Sequence, residues 1–148
     1  MRIEGKVLAG NILTKLTDTV STLRKGGITP TLAVILIGND PASVSYIRQK
    51  QKAADAIGAK LILEQYPETV TPGMLESAIA YYNNDPSVHG LIIQRPVPKF
   101  VGQRGDVLSA VIPAKDVDGF VAHSPFEVPV ARAVITILEE IHTRLIDA

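Results

Sequence analysis

The apolar run from Leu32 to Gly38 (LAVILIG) constrains the fold most, because its apolar positions do not alternate with polar ones. A strand that is apolar at every position is typical of a parallel sheet covered by helices on both faces. The turn that follows contains Asp40, which suits a helix N-cap, and Pro41, which suits the first helical turn. We therefore predict a buried strand that leads directly into a helix.

The same signals recur along the chain, and 148 residues fit one domain. Further elements are predicted as helices at about Gly10 to Gly26, Pro41 to Gly58, Thr71 to Tyr82, Gly105 to Ala110 and Val130 to Leu145, and as strands at Lys60 to Tyr66 and Val88 to Gln94. The alternation of helices and strands predicts an α/β fold, a three-layer sandwich with a mainly parallel sheet flanked by helices.

Composition narrows the classes of function. Fifteen basic residues balance fifteen acidic ones, so no overall charge attracts nucleic acid or an anionic membrane. The absence of cysteine excludes disulfides, thiol catalysis and cysteine-bound metals. The chain begins without the apolar core of a signal peptide, and no run reaches the length of a membrane span. We therefore expect a soluble, cytoplasmic protein that binds neither nucleic acid nor a membrane.

The helix after the first strand carries Ser43, Tyr46 and Lys50 at spacings of three and four residues. This spacing predicts that a hydroxyl, a phenol and an amine share the side that packs toward the sheet. Because helical side chains tilt toward the helix N-terminus, Tyr46 and Lys50 are expected to point toward the strand ends, where open sheets bind ligands. The alternative is packing alone, with the lysine stem lying under the ring.

Two later segments carry polar groups to the same edge. Gln94 ends a predicted strand, although an amide at this position also suits the capping of loop backbone groups. Asp116 and Asp118 flank one valine before a glycine, a pattern that is also typical of a solvated turn. A calcium loop would need a third oxygen ligand before that glycine, so no metal site is predicted.

Three fragments together resemble the bifunctional methylenetetrahydrofolate dehydrogenase/methenyltetrahydrofolate cyclohydrolase family. They are LAVILIGNDPASVSYIRQKQKAADAIGA (Leu32 to Ala59), VHGLIIQRPVP (Val88 to Pro98) and IPAKDVDGF (Ile112 to Phe120). Their order and spacing match the family's catalytic, folate-binding domain over most of the chain. The resemblance implies a role in one-carbon metabolism, with hydrolysis of methenyl-tetrahydrofolate to formyl-tetrahydrofolate as the expected activity.

The resemblance also implies a set of site residues. These are catalytic Lys50, Tyr46 and Gln94, and substrate-binding Tyr46, Ser43, Asp118, Asp116 and Pro96. Tyr46 is expected to stack against the folate, and Lys50 to handle protons. Gln94 is expected to orient Lys50, and Asp118 to hold the amino group and ring nitrogens of the pterin.

The chain departs from the family in the cofactor-binding part. The full-length family uses NADP on a Rossmann domain, but no glycine-rich loop here joins a strand to a helix: Gly102 and Gly105 follow no strand, and Gly26 ends a helix. We therefore expect no cofactor bound by this chain and no dehydrogenase step from it alone. Arg95 stands where the family commonly has leucine.

We interpret residues 1–148 as one catalytic domain, with residues 130–148 as a linker helix toward the absent cofactor domain. The family's final helix is also missing, which predicts an uncovered apolar face and a homo-oligomer or another partner. Three alternatives remain: a non-catalytic folate-binding or assembly module, an inactive truncated lobe, and an unrelated flavodoxin-like domain. The third is disfavoured because no phosphate-binding loop follows Gly38.

Overall fold

Three parallel strands form the centre of the computed structural model, which describes residues 4–98, 101 and 107–146. The strands are β1 (Thr31–Ile37), β2 (Lys60–Tyr66) and β3 (Gly90–Ile93), and their order in the sheet is β2-β1-β3. β1 pairs with β2 along its whole length and with β3 from Leu32 to Ile35. The carboxyl ends of the strands therefore meet at one edge, as the α/β prediction requires.

Four helices accompany the sheet in the described part of the chain. They are α1 (Gly5–Lys25), α2 (Pro41–Ile57), α3 (Pro72–Asn84) and α4 (Pro129–Ile146), with short 3-10 turns at Val107–Ala110 and Pro113–Lys115. α2 begins where the Asp40 carboxylate accepts a hydrogen bond from the Ser43 amide at 2.7 Å. It ends at Gly58, whose φ of 79° lies in the left-handed region.

The side chains of β1 are divided between two apolar clusters, one on each face of the sheet. Ala33, Ile35 and Ile37 pack in the cluster that contains α3, whereas Val34 and Leu36 pack in the cluster that contains α2. All five side chains are buried. This confirms the prediction of a strand covered on both faces and of three layers.

Several predicted boundaries were wrong, including the end of α3, which continues to Asn84 and not only to Tyr82. α1 begins at Gly5, because Gly10 lies within the helix and does not start it. β3 spans Gly90–Ile93 only, since Val88 lies in a turn in which its amide donates to the Asp85 carbonyl at 3.1 Å. The helix predicted at 105–110 appears as the 3-10 turn Val107–Ala110, and residues 102–106 lie outside the described part of the chain.

α1 and α4 both carry exposed large apolar side chains. They are Val7, Ile12, Leu16 and Leu23 on α1, and Val130, Val134, Ile135, Ile137 and Leu138 on α4. Within the described ranges, no helix is both long enough and apolar enough to cross a membrane. The exposed faces agree with the predicted uncovered apolar surface, while self-association and the linker role of residues 130–148 stay predictions.

Candidate active site

Lys50 and Gln94 meet at the carboxyl edge of the sheet, although they are 44 residues apart in sequence. The Lys50 Nζ donates to the Gln94 Oε1 at 3.3 Å, and it lies 5.0 Å from the centroid of the Tyr46 ring. The amine therefore has an amide oxygen and the face of a phenol as neighbours. This is the juxtaposition that the sequence predicts for these three side chains.

Tyr46 is not on the side of α2 that packs toward the sheet, and that part of the prediction was wrong. Its side chain is 55% exposed, while Ser43 and Ile47 are the buried residues of the helix. The buried stripe passes through Ser43 and Ile47, so Tyr46 lies at its edge. From this position the ring contacts Lys50 and still leaves most of its surface open to a flat ligand.

The orientation of the Gln94 amide is fixed by the backbone that follows it. Its Nε2 donates to the Arg95 carbonyl at 2.9 Å, and this leaves Oε1 to accept from Lys50. The Ser43 hydroxyl donates to the same carbonyl at 3.3 Å. Ser43 therefore ties the start of α2 to the end of β3. Pro96, joined to Arg95 by a cis peptide bond, is exposed next to this carbonyl.

Burial lowers the pKa of the Lys50 ammonium from its ordinary value, because a partly dry position disfavours the charged form. The Asp118 carboxylate acts in the opposite direction and raises it. The net direction is downward, so more of this amine is neutral at a given pH than of a solvated lysine. A group of this kind can both accept and return a proton.

Asp118 is half-buried in the loop that follows the second 3-10 turn. Burial raises the pKa of its carboxyl, and the Asp116 charge adds to this, whereas Lys50 and Arg95 lower it. Asp116 itself is 4% exposed, and its Oδ2 accepts from the Val121 amide at 2.9 Å. The Asp116 carboxylate therefore stabilises the loop, whereas the Asp118 carboxylate is the one whose charge interacts with Lys50.

Two side chains that anchor this loop by hydrogen bonds are not predicted from the sequence. The Lys115 Nζ donates to the Tyr82 and Asp85 carbonyls, at 2.6 and 2.7 Å, at the end of α3. The Asn83 side chain bonds the backbone of residues 110 and 112. A lysine far along the chain gives no sequence signal that it caps a helix, because the partners are backbone carbonyls.

The sequence marks Arg95 only as a departure from the family, but the structure gives it a partner. Its guanidinium lies 4.1 Å from the centroid of the Phe120 ring. Arg95, Asp118 and Phe120 line one narrow crevice along the end of β3. The sequence feature that could have indicated this contact is the aromatic residue Phe120, which follows the acidic loop of Asp116 and Asp118.

The strand-to-helix turn after β1 does not fit the diphosphate of a nicotinamide dinucleotide. Gly38 is the glycine of this turn, and the side chain of Glu68 lies 3.0 Å from where its Cβ would be. The Asp40 carboxylate already bonds the Ser43 amide at the N-terminus of α2. Two carboxylates at this turn would repel phosphate groups, so we derive no hydride-transfer step from these residues.

Comparison with known proteins adds independent information about the chain. Residues 3–118 match the model of the family described as "Tetrahydrofolate dehydrogenase/cyclohydrolase, catalytic domain". The chain is similar to the bifunctional protein FolD of Halalkalibacterium halodurans, with 44% identity over 118 residues, and to that of Bacillus subtilis, with 45%. These matches cover 80% of this chain but only 42% and 41% of the relatives. The chain therefore spans about two fifths of their length.

Solved structures agree. The bifunctional FolD enzyme of Campylobacter jejuni superposes with a TM-score of 0.87 at 32% identity, over 93% of this chain and 52% of that one. The Trypanosoma brucei methylenetetrahydrofolate dehydrogenase-cyclohydrolase, which was solved with NADP and an inhibitor, gives 0.86 at 28% identity, over 94% and 51%. The fold described above thus corresponds to about half of each solved chain.

Proposed function

The chain belongs to the tetrahydrofolate dehydrogenase/cyclohydrolase catalytic-domain family, and from this premise we propose that it binds a reduced folate and hydrolyses methenyl-tetrahydrofolate to formyl-tetrahydrofolate. The observation that carries the proposal is the contact between the Lys50 Nζ and the Gln94 Oε1, beside Tyr46 and Asp118. It brings a proton carrier, an amide that orients it, an aromatic face and an acid to one sheet edge.

Asp118 and Tyr46 suit the binding of the folate. An ionised carboxylate accepts paired hydrogen bonds from the amino group and ring N–H of an aminopyrimidine, which fixes the rotation of the pterin. The exposed face of Tyr46 offers a stacking surface for the same ring system. Asp116 and Ser43 support these contacts through the backbone, and Pro96 borders them. The substrate would therefore lie across the edge with its methenyl carbon toward Lys50.

Lys50 suits the transfer of protons in hydrolysis. Neutral Lys50 accepts a proton as water adds to the cationic carbon that bridges the two nitrogens. The resulting ammonium returns a proton to a ring nitrogen as the bond from that nitrogen to the bridging carbon breaks. The hydroxyl of the adduct becomes the formyl carbonyl and releases its own proton, so the balance is one water consumed and one proton released.

The direct test is the loss of methenyl-tetrahydrofolate absorbance in the presence of the purified chain. We expect the decay to be faster than the uncatalysed hydrolysis in the same buffer, in proportion to protein concentration. A decay at the uncatalysed rate, together with measurable folate binding, would replace this proposal with a non-catalytic folate-binding module. The 55% exposure of Tyr46 favours that second candidate, because the site is open to water on this side.

Hydrolysis should depend on pH in the direction set by Lys50. The neutral amine is the form that accepts the first proton, so kcat should rise with pH through the pKa of Lys50 and then level off. Burial lowers that pKa, so the midpoint should fall below the ordinary lysine value of about 10.4. Rates corrected for uncatalysed hydrolysis at each pH give the profile. A rate that falls as pH rises would contradict the role of Lys50 as a base.

A further inference from the structure

Arg95 is held at both its main chain and its side chain, which is unusual for an exposed cation. Its carbonyl accepts hydrogen bonds from the Gln94 amide and the Ser43 hydroxyl. Its guanidinium lies over the Phe120 ring at 4.1 Å from the centroid. An arginine fixed in this way loses little further freedom when it acts on a neighbour.

The neighbour is Asp118, which lies two residues before Phe120 and lines the same crevice as Arg95. Three charged groups of the described residues act on this carboxylate: Lys50 from α2, Arg95 from the end of β3, and Asp116 from its own loop. Lys50 is an unreliable counter-charge, because it must be neutral for part of the catalytic cycle that we propose. Arg95 stays charged throughout.

We propose that Arg95, held in place by Phe120, is a positioning residue that keeps Asp118 in the carboxylate form that binds the pterin. The inference rests on the proposed function for its substrate but not for its electrostatics. Burial and Asp116 both favour the protonated acid, and a protonated Asp118 would lose one of its two acceptor oxygens. The fixed guanidinium opposes this whenever Lys50 gives up its proton.

The first measurement needs no ligand. The pKa of Asp118 is read from the carboxyl carbon signal of the labelled chain by NMR titration, with Asp118→Asn to assign the signal. We expect Arg95→Leu to move this pKa upward, because a positive charge that favours the carboxylate is removed, and Arg95→Lys to restore part of the shift. Phe120→Leu keeps the charge of Arg95 but removes the ring that holds its guanidinium in place, so it should give a smaller upward shift of the Asp118 pKa. Added salt should reduce these differences.

Arg48→Leu is the matched control, because Arg48 is an exposed arginine on α2 outside the site. It should leave the pKa of Asp118 unchanged. An unchanged pKa in Arg95→Leu, or an equal shift in Arg48→Leu, would overturn the inference. Because Arg95 is exposed, both variants are expected to fold, and circular dichroism of each verifies this.

The second measurement connects Asp118 to the substrate. Binding of 5-formyl-tetrahydrofolate, whose formylated ring nitrogen does not titrate, is followed from about pH 5 to about pH 8. The pH below which affinity falls should be higher in Arg95→Leu than in the wild type. An identical pH dependence with a shifted Asp118 pKa would overturn the role in binding. A wild type that binds no folate at any pH would instead reject the proposed function, while the NMR result still decides the electrostatic part.

Discussion

Replacing Lys50 with methionine is expected to abolish hydrolysis of methenyl-tetrahydrofolate while leaving folate binding largely intact. Methionine keeps an unbranched apolar stem for packing, but its thioether can neither accept nor donate a proton in the reaction. General acid-base groups contribute roughly 10²- to 10⁴-fold in rate, so the remaining activity should approach the uncatalysed rate. The measurement is the decay of methenyl absorbance, with the dissociation constant of a reduced folate determined in parallel.

Lys52→Met provides the control for this variant. Lys52 lies on the same helix, two residues away, and is exposed to solvent. The substitution removes the same charge from the chain and should leave hydrolysis within about twofold of the wild type. Equal activity in the Lys50 and Lys52 variants would remove Lys50 from the mechanism.

Replacing Gly119 with alanine is expected to disrupt the acidic loop and to lower the stability of the whole chain. Gly119 has a φ of 67°, and an added Cβ would lie 2.7 Å from the Phe126 carbonyl oxygen. The backbone of Glu127 and Val128 is also within 3.0 Å. Backbone atoms cannot move aside as a flexible side chain does, so we expect a loss of about 2–4 kcal/mol of unfolding free energy.

Thermal unfolding followed by circular dichroism measures that loss, and the folate dissociation constant reports the displaced Asp118. Gly10→Ala is the matched control, since apart from the neighbouring backbone of α1 itself no described atom lies within 4 Å of its added Cβ. It should be neutral or stabilising by up to about 1 kcal/mol, because alanine favours the helix. A Gly119 variant with wild-type unfolding temperature and affinity would show that the loop accommodates the methyl group.

The parts of the fold that the sequence predicts well are those with local stop signals. β2 was predicted at its observed limits, and α2 ends where Gly58 interrupts it. Boundaries that depend on distant partners were less predictable. β3 is short because only the residues opposite Leu32 to Ile35 find a neighbour in β1, and no local pattern records that limit.

The candidate site likewise has features that the sequence predicts and features that depend on distant contacts. The sequence predicts that Lys50 and Gln94 meet, because both positions follow from the common edge of parallel strands. It did not predict the exposure of Tyr46, since a spacing of three residues is compatible with two adjacent stripes of a helix. The contact of Arg95 with Phe120 joins two loops, whose relative placement has no periodic signal. The catalytic and binding roles of these residues stay predictions.

The contact between Lys50 and Gln94 closes a chain segment that includes all of β2 and α3. In the unfolded chain, therefore, this amine is solvated and chemically equivalent to every other lysine. The lowered pKa of Lys50 follows from burial, so it is acquired only when the tertiary structure forms.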